Sequence, residues 1–298
     1  MMPEDKRKSV IALGFFDGVH LGHRKLIEET VRIAGEKDLI PAVFTFRDFP
    51  SKDFEALTLP EEKERIFKKL GISRVIFYDF PEIKDMKAED FFNDILIDQL
   101  DAASLVAGTD YSFGKGASGD IKLLKKLSDE NGIHLEIVPD VICDGEKCSS
   151  TRIRNLLSEG KIQKANELLG ENAYSFEGTV LPGKKLGRRL GFPTANLPVP
   201  QYKFKPVFGV YRTYIEVDGK KLMGISNLGL RPTVEDSDNV NIETFIYGFD
   251  GELYGKYVKV ALMEFIRGEM KFNSVEELKA RVESDKKMVA NLWELGNN

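Results

Sequence analysis

"GFFDGVHLGHRKL", Gly14–Leu26, decides the fold of this chain because it joins two segments of different period. Before it lies "SVIAL", a short apolar run of strand character. After it Leu26, Ile27, Val31 and Ala34 recur at helical spacing. A strand that passes through glycines straight into a helix is the opening of an alternating β/α unit. The same stretch holds two of the chain's three histidines, His20 and His23.

The alternation continues as far as about residue 170. "IPAVFTF", "RVIFYDF", "SLVAGT" and "HLEIVPDV" are further runs too short for helices and rich in β-branched or aromatic residues. Between them stand helix-like segments such as "LPEEKERIFKKLG" and "DIKLLKKLSDENG", each stopped by glycine. This pattern predicts a Rossmann-like parallel sheet with helices on both faces and a ligand site beyond the C-terminal ends of the strands. The glycine-histidine stretch follows the first strand, so it falls at that edge.

Beyond Gly170 the period changes to two. "FEGTVL", "GVYRTYIEV", "KLMGISNL", "NIETFIYGF" and "YVKVALMEFI" alternate apolar and polar residues, and Asp218-Gly219 and Asp250-Gly251 fall between such runs as hairpin turns would. One helix closes the chain. Ser274 and Glu277 form a capping box, and Val275, Leu278, Val282, Val289 and Leu292 make its apolar stripe. Asp285 falls within that stripe, where the sequence offers no reason for a carboxylate. The expectation is a small antiparallel β-barrel with a terminal helix over 173–298, preceded by the α/β domain over 1–172.

Composition narrows the function. A net charge of −5 without a basic stripe argues against nucleic-acid partners and membrane surfaces. No apolar run approaches the roughly 20 residues of a bilayer span, and the charged start "MMPEDKRKSV" has no signal-peptide core, so a cytoplasmic location is expected. Cys143 and Cys148, the only cysteines, read as a reduced pair.

His20 and His23 admit three readings: turn residues without chemistry, a metal pair, or phosphate ligands. No cysteine or carboxylate cluster completes a metal set. Glycine lets backbone approach a ligand, and a helix beginning near Gly22 aims its free N–H groups and positive dipole end at the same spot, which favours phosphate. "CSSTRIRNLL", Cys148–Leu157, starts another helix with Ser149, Ser150 and Thr151 followed by Arg152 and Arg154, a set suited to a polyphosphate. "GTDYSFGKGASGD", Gly108–Asp120, is a flexible polar loop at the same sheet edge.

"GFFDGVHLGH", "GTDYSFGKGASG" and "SSTRIR", in this order, resemble the N-terminal module of the bacterial bifunctional riboflavin kinase/FAD synthetases, members of the HxGH nucleotidyltransferase superfamily. "GRRLGFPTANL", "GISNLGLRPT", "IETFIYGFDGELYG" and "FIRGEMKF" are similar to the flavokinase domain of the same family. The resemblance implies two reactions, riboflavin to FMN and FMN to FAD, with ATP as co-substrate, Mg²⁺ as cofactor, and ADP and pyrophosphate as by-products. It implies that His20 and His23 stabilise the transferred α-phosphoryl group. Gly14, Phe15, Phe16 and Asp17 would line the ATP pocket, largely through backbone, Asp110 would belong to the nucleotide site, and Ser150, Thr151 and Arg154 would hold the outer phosphates. In the second domain Glu243 would be the base, Thr194 and Asn196 would bind Mg²⁺ and ATP, Gly187, Arg188 and Gly191 would form a flap, and Arg267 would lie near the flavin. Tyr254 and Phe208 would either contact the flavin or fill core, with core the preferred reading. The chain departs from the family at "FRDFPSKDF", where Phe49 replaces the histidine of a "DPHP"-like segment. A kinase with an impaired or repurposed first module is the alternative this departure raises.

Overall fold

The computed structural model describes residues 7–47, 54–182, 194–230, 240–249 and 251–295. The chain packs as two compact units, 1–150 and 151–298.

In the first unit the strands β1 (Ser9–Leu13), β2 (Ile40–Phe46), β3 (Arg74–Tyr78), β4 (Ala102–Gly108) and β5 (His134–Val138) form one parallel sheet in the order β3-β2-β1-β4-β5. Every residue of β1 is buried, as a central parallel strand covered on both faces requires. The helices α1 (Leu21–Lys37), α2 (Pro60–Lys69) and α5 (Ile121–Glu130) connect the strands. Two short helices, α3 (Phe80–Ile83) and α4 (Ala88–Asp90), lead into a π-helix over Phe91–Gln99 that buries Phe91, Phe92, Ile95 and Leu96. The chain leaves β1 towards β2 on one side and meets β4 on the other. The order therefore reverses between β1 and β4, and a crevice opens there at the C-terminal ends of the strands. A two-stranded hairpin, β6 (Ile142–Cys143) with β7 (Glu146–Lys147), follows β5.

The helices α6 (Ser150–Ser158) and α7 (Ile162–Leu169) pack against the strands that come after them. Asn166 Nδ2 donates to Leu262 O at 2.8 Å, Tyr174 N to Asn166 Oδ1 at 2.8 Å, and Val207 N to Leu157 O at 3.3 Å. The second unit's sheet is antiparallel, in the order β8-β13-β10-β11-β12-β9, with β8 (Ser175–Thr179), β9 (Thr194–Pro198), β10 (Gly209–Val217), β11 (Lys220–Leu230), β12 (Val240–Ile246) and β13 (Tyr257–Gly268). Just beyond β8, Leu181 N donates to Asn196 O of β9 at 2.9 Å, which joins the two outer strands and closes the barrel.

Asp218 and Gly219 make the expected two-residue turn. Both have positive φ (49° and 71°), and Val217 pairs with Lys220. The turn expected at Asp250-Gly251 is corrected: Asp250 lies outside the described residues, and β12 and β13 on either side are not neighbours in the sheet. In the closing helix α8 (Val275–Leu295), Glu277 N donates to Ser274 Oγ at 3.1 Å, one arm of the expected capping box, while the Glu277 carboxylate accepts from Asn273 N at 2.9 Å instead of from Ser274 N. The stripe is narrower than expected. Val289 and Trp293 are buried against Val210 and Ile225, whereas Val275 is exposed. Tyr254, expected in the core, is exposed too.

Candidate functional sites

The turn after β1 is shaped by left-handed backbone at Phe16, Gly18 and Val19. Phe16 inserts its ring into the core, edge-on to His23 and Phe67. Asp17 is buried and acts on the chain itself: its Oδ1 accepts from Leu57 N at 2.8 Å and Thr58 N at 3.2 Å, and its carbonyl accepts from Ser150 Oγ at 2.8 Å. The turn ends at His20, the N-cap of α1, which has no side-chain cap. The first N–H groups of a long helix thus open at this point.

His20 and His23 lie with ring centroids 3.7 Å apart and planes 20° apart. Gly22 makes room for them, since a Cβ there would stand 3.1 Å from His20 Cε1. Burial, reinforced by the positive charge of Lys147 and opposed by Asp110, lowers His20 to about 4. Burial, with His20, Lys63 and Lys147 adding to it, holds His23 well below an ordinary histidine. Both rings are neutral at pH 7. Their Nδ1 atoms and Arg24 Nε are buried without hydrogen-bond partners. Unsatisfied buried polar atoms are costly, and three of them gathered at one helix start suit a site built for a polar ligand.

His23 lines a cavity of about 490 Å³ together with Gly14, Phe15, Phe44, Phe46 and Asp110. It opens at the β1/β4 switch point and has the size of a nucleotide or flavin pocket. The glycine-rich loop after β4 forms another wall. Gly114 and Gly119 lie so close to Ala88 that a Cβ on either would come within 2.7–2.8 Å of it. Two features escaped the sequence reading. Lys63 of α2 is buried, donates to Phe15 O at 2.7 Å, sits over the Phe15 ring and is lowered by burial to about 8. Lys147 of β7 donates to Asp110 Oδ2 at 2.6 Å and lies 2.9 Å from Asp140 Oδ1. Ser150 stands at the start of α6. Thr151 and Arg154, further along α6, belong by packing to the second unit, where the Arg154 guanidinium lies 5.9 Å from the Phe204 ring. Phe49 lies outside the described residues.

The histidines make a pH prediction. The folded protein binds a proton at His20 less readily than the unfolded chain does. Between pH 6.5 and about 4 the unfolded state therefore carries more protons, and stability that is complete above 6.5 drains away as pH falls through this window. The first unit's Tm is expected to drop between pH 7 and pH 5, and to drop less in His20→Gln. Glu29, Glu64 and Asp140, held low by hydrogen bonds from Arg32, Lys68 and Lys147, act in the same direction, but below their ordinary values of 4.5, 4.5 and 3.8. Parallel Tm profiles for the two proteins would refute the prediction.

In the second unit Glu243 stands exposed on β12, opposite Asn227 of β11 and Asn196 of β9. Asn241 Nδ2 donates to Asn196 Oδ1 at 3.1 Å and fixes that amide. A cavity of about 280 Å³ is lined by Thr194, Asn227, Glu243, Arg267 and Asp285, among others. The structure thus brings Glu243, Thr194 and Arg267 together, with Asn196 paired beside Glu243. Gly187, Arg188 and Gly191 lie outside the described residues.

Asp285, the carboxylate that interrupted the helical stripe, now has its reason. Its side chain is 2% exposed, and its Oδ2 accepts from Arg267 Nε at 3.0 Å and Nη2 at 2.7 Å, while Arg281 Nε lies 3.0 Å from Oδ1. The helix residue fixes the arginine of the cavity wall. Removing one partner of a buried pair typically costs about 3–5 kcal/mol. Asp285→Ala should lower the barrel's urea midpoint correspondingly, and an unchanged midpoint would show the pair to be dispensable.

A switch-point cavity with paired imidazoles at a helix start, and a barrel cavity where a carboxylate meets hydroxyl and amide donors, define a two-site phosphate-transfer protein. Residues 2–152 match the FAD synthetase family and residues 170–293 the riboflavin kinase family. The bifunctional riboflavin kinase/FMN adenylyltransferase of Listeria monocytogenes is 38% identical over 93% of this chain and 90% of its own length. Those of Bacillus subtilis (36%; 96% and 93%) and Escherichia coli (34%; 93% and 90%) are similar over comparable spans. A solved structure from Streptococcus pneumoniae, described as a macrolide-efflux protein, is 31% identical, covers 97% of this chain and 95% of its own, and has a TM-score of 0.85. That description applies to that protein. Among the described residues here, no helix is long and apolar enough to cross a membrane. The chain belongs to the bifunctional riboflavin kinase/FMN adenylyltransferase family.

Proposed function

We propose that the chain carries out two consecutive ATP-dependent transfers at separate sites. The barrel phosphorylates riboflavin to FMN with release of ADP, and the parallel-sheet unit joins FMN to the adenylyl group of ATP, giving FAD and pyrophosphate. The observation that carries the reading is the stacked, neutral histidine pair at an uncapped helix start beside a nucleotide-sized cavity.

In the barrel, Glu243 accepts the proton of the riboflavin 5′-hydroxyl as its oxygen attacks the γ-phosphorus of ATP and ADP departs. Arg267, held by Asp285, orients the flavin. Thr194 and Asn196 would hold Mg²⁺ together with the phosphates. Their hydroxyl and amide oxygens are the hard donors magnesium prefers, and the hydrogen bond from Asn241 pre-orients the amide. When bound, the ion offsets phosphate charge.

In the first unit an oxygen of the FMN phosphate attacks the α-phosphorus of ATP, and the bond to the β-phosphate oxygen breaks. His20 and His23 donate N–H groups to the oxygens on which charge builds, assisted by the N–H groups at the start of α1. Gly14, Phe15 and Phe16 wall the nucleotide pocket. The assignment of Thr151 and Arg154 to the outer phosphates rests on sequence resemblance alone. On this reading the work is done in the cytoplasm, where ATP is at hand.

The test is a time course with riboflavin, ATP and Mg²⁺, separated by chromatography. FMN that rises and then gives way to FAD supports both assignments. FMN that accumulates without FAD would reject the first unit's role and return the alternative of a kinase with an inactive first module.

A further inference from the structure

At neutral pH the histidine pair brings no charge to the first cavity, and buried Lys63 is held by Phe15 O. Adenylyl transfer nevertheless brings a phosphate monoester up to a triphosphate. Two anions that must react need a fixed cation near the atom being transferred.

Lys147 is such a cation. It ends β7 and immediately precedes Cys148, whose carbonyl oxygen would lie 3.6 Å from a Cβ on Gly22, within the His20–His23 turn. Its Nζ donates to Asp110 Oδ2 at 2.6 Å, and Asp110 lines the same cavity as His23. On the other side its Nζ lies 2.9 Å from Asp140 Oδ1, which also accepts from Thr109 Oγ1 at 3.1 Å. The carboxylates come from the loops after β4 and β5, so neighbouring strand ends hold the ammonium beside Asp110 of the cavity wall. The side chain is 38% exposed and remains within reach of a bound anion.

We propose that Lys147 engages the transferred phosphoryl group during FAD formation, with Asp110 and Asp140 holding its ammonium in place until the phosphates arrive. This rests on the reading of the first unit as the adenylyltransferase. Lys147 donates an N–H to a non-bridging oxygen of the α-phosphate while the FMN phosphate oxygen bonds to phosphorus and pyrophosphate leaves. It neither gains nor loses a proton. The histidines register the same proximity, since the charge of Lys147 contributes to keeping both rings neutral. Exposed ion pairs contribute little to stability, so Lys147 can be replaced without unfolding the protein.

The full chain carrying Lys147→Met or Lys147→Arg is assayed separately for FAD from FMN and for FMN from riboflavin. In Lys147→Met, kcat for FAD is expected to fall about 100-fold with little change in KM for either substrate. Lys147→Arg should recover a substantial part, and FMN formation should be unaffected in both. An FAD rate equal to that of the unmodified protein, a rise in KM at constant kcat, or an equal loss of FMN formation would each overturn the proposal. If the unmodified protein makes FAD and Lys147→Met matches it, only the role of Lys147 fails. If the unmodified protein makes none, the adenylyltransferase reading fails first and takes this one with it.

Discussion

A chain carrying both His20→Ala and His23→Ala should make FMN and stop there. The two rings are stacked at one point, and no other described residue places an imidazole on that cavity. Removing one preorganised donor from a developing oxyanion costs about 10²–10³ in rate. The pair acts as a unit, so the double variant should lose somewhat more than either single variant but far less than the product of the two losses. FAD formed from supplied FMN should fall at least about 10³-fold, while FMN formed from riboflavin holds its rate. The relevant measurement is the ratio of the two rates in one preparation. If both fall together in a protein that still melts cooperatively, the histidines do not belong to a separate site.

Glu243→Gln should give the mirror image. Glutamine keeps the shape and the strand position but cannot accept a proton. A positioned general base contributes about 10²–10⁴, so FMN formation should drop within that range at pH 7 while FAD formation from supplied FMN stays the same. Glu243 is exposed on β12, so its replacement should leave the barrel's stability nearly unchanged. A KM effect on riboflavin without a kcat effect would make Glu243 a binding residue and leave the proton acceptor to be sought elsewhere along the cavity wall.

Period carried most of the fold. The apolar run before Gly14 and the stripe from Leu26 to Ala34 announced the β/α unit, and the residues between them held the histidine pair. Asp218-Gly219 was legible because a two-residue turn needs left-handed backbone, which these residues supply. Features that depend on distant partners were not legible. Asp285 looked like an error in a helical stripe until Arg267, on another element, came to lie against it. Lys147 carries no signal in the sequence, because its two carboxylates are brought to it by the ends of different strands. Asp17 reads as a pocket residue through its backbone, and the partners of its carboxylate, the N–H groups of Leu57 and Thr58, are not legible in the motif. Asp250-Gly251 is turn chemistry in a connection between strands that are not neighbours, and composition alone cannot tell these cases apart. Helix α7 is read with the residues before it in sequence, but it packs on β13, which follows.

The strand order of the barrel governs how it can be made. β8 opens the second unit's sheet, yet its ladder partner is β13, with Ser175 opposite Ala261 and Tyr257 opposite Thr179. The loop that must close before this ladder forms contains the sheet's other four strands, and pairings so distant along the chain are slow to nucleate. During synthesis the first unit, whose five strands are complete by Val138, has its full set of partners early. The barrel must wait for β13 to leave the ribosome, and until then β8 is an edge without its neighbour. The enzyme that makes FMN is thus finished after the one that consumes it.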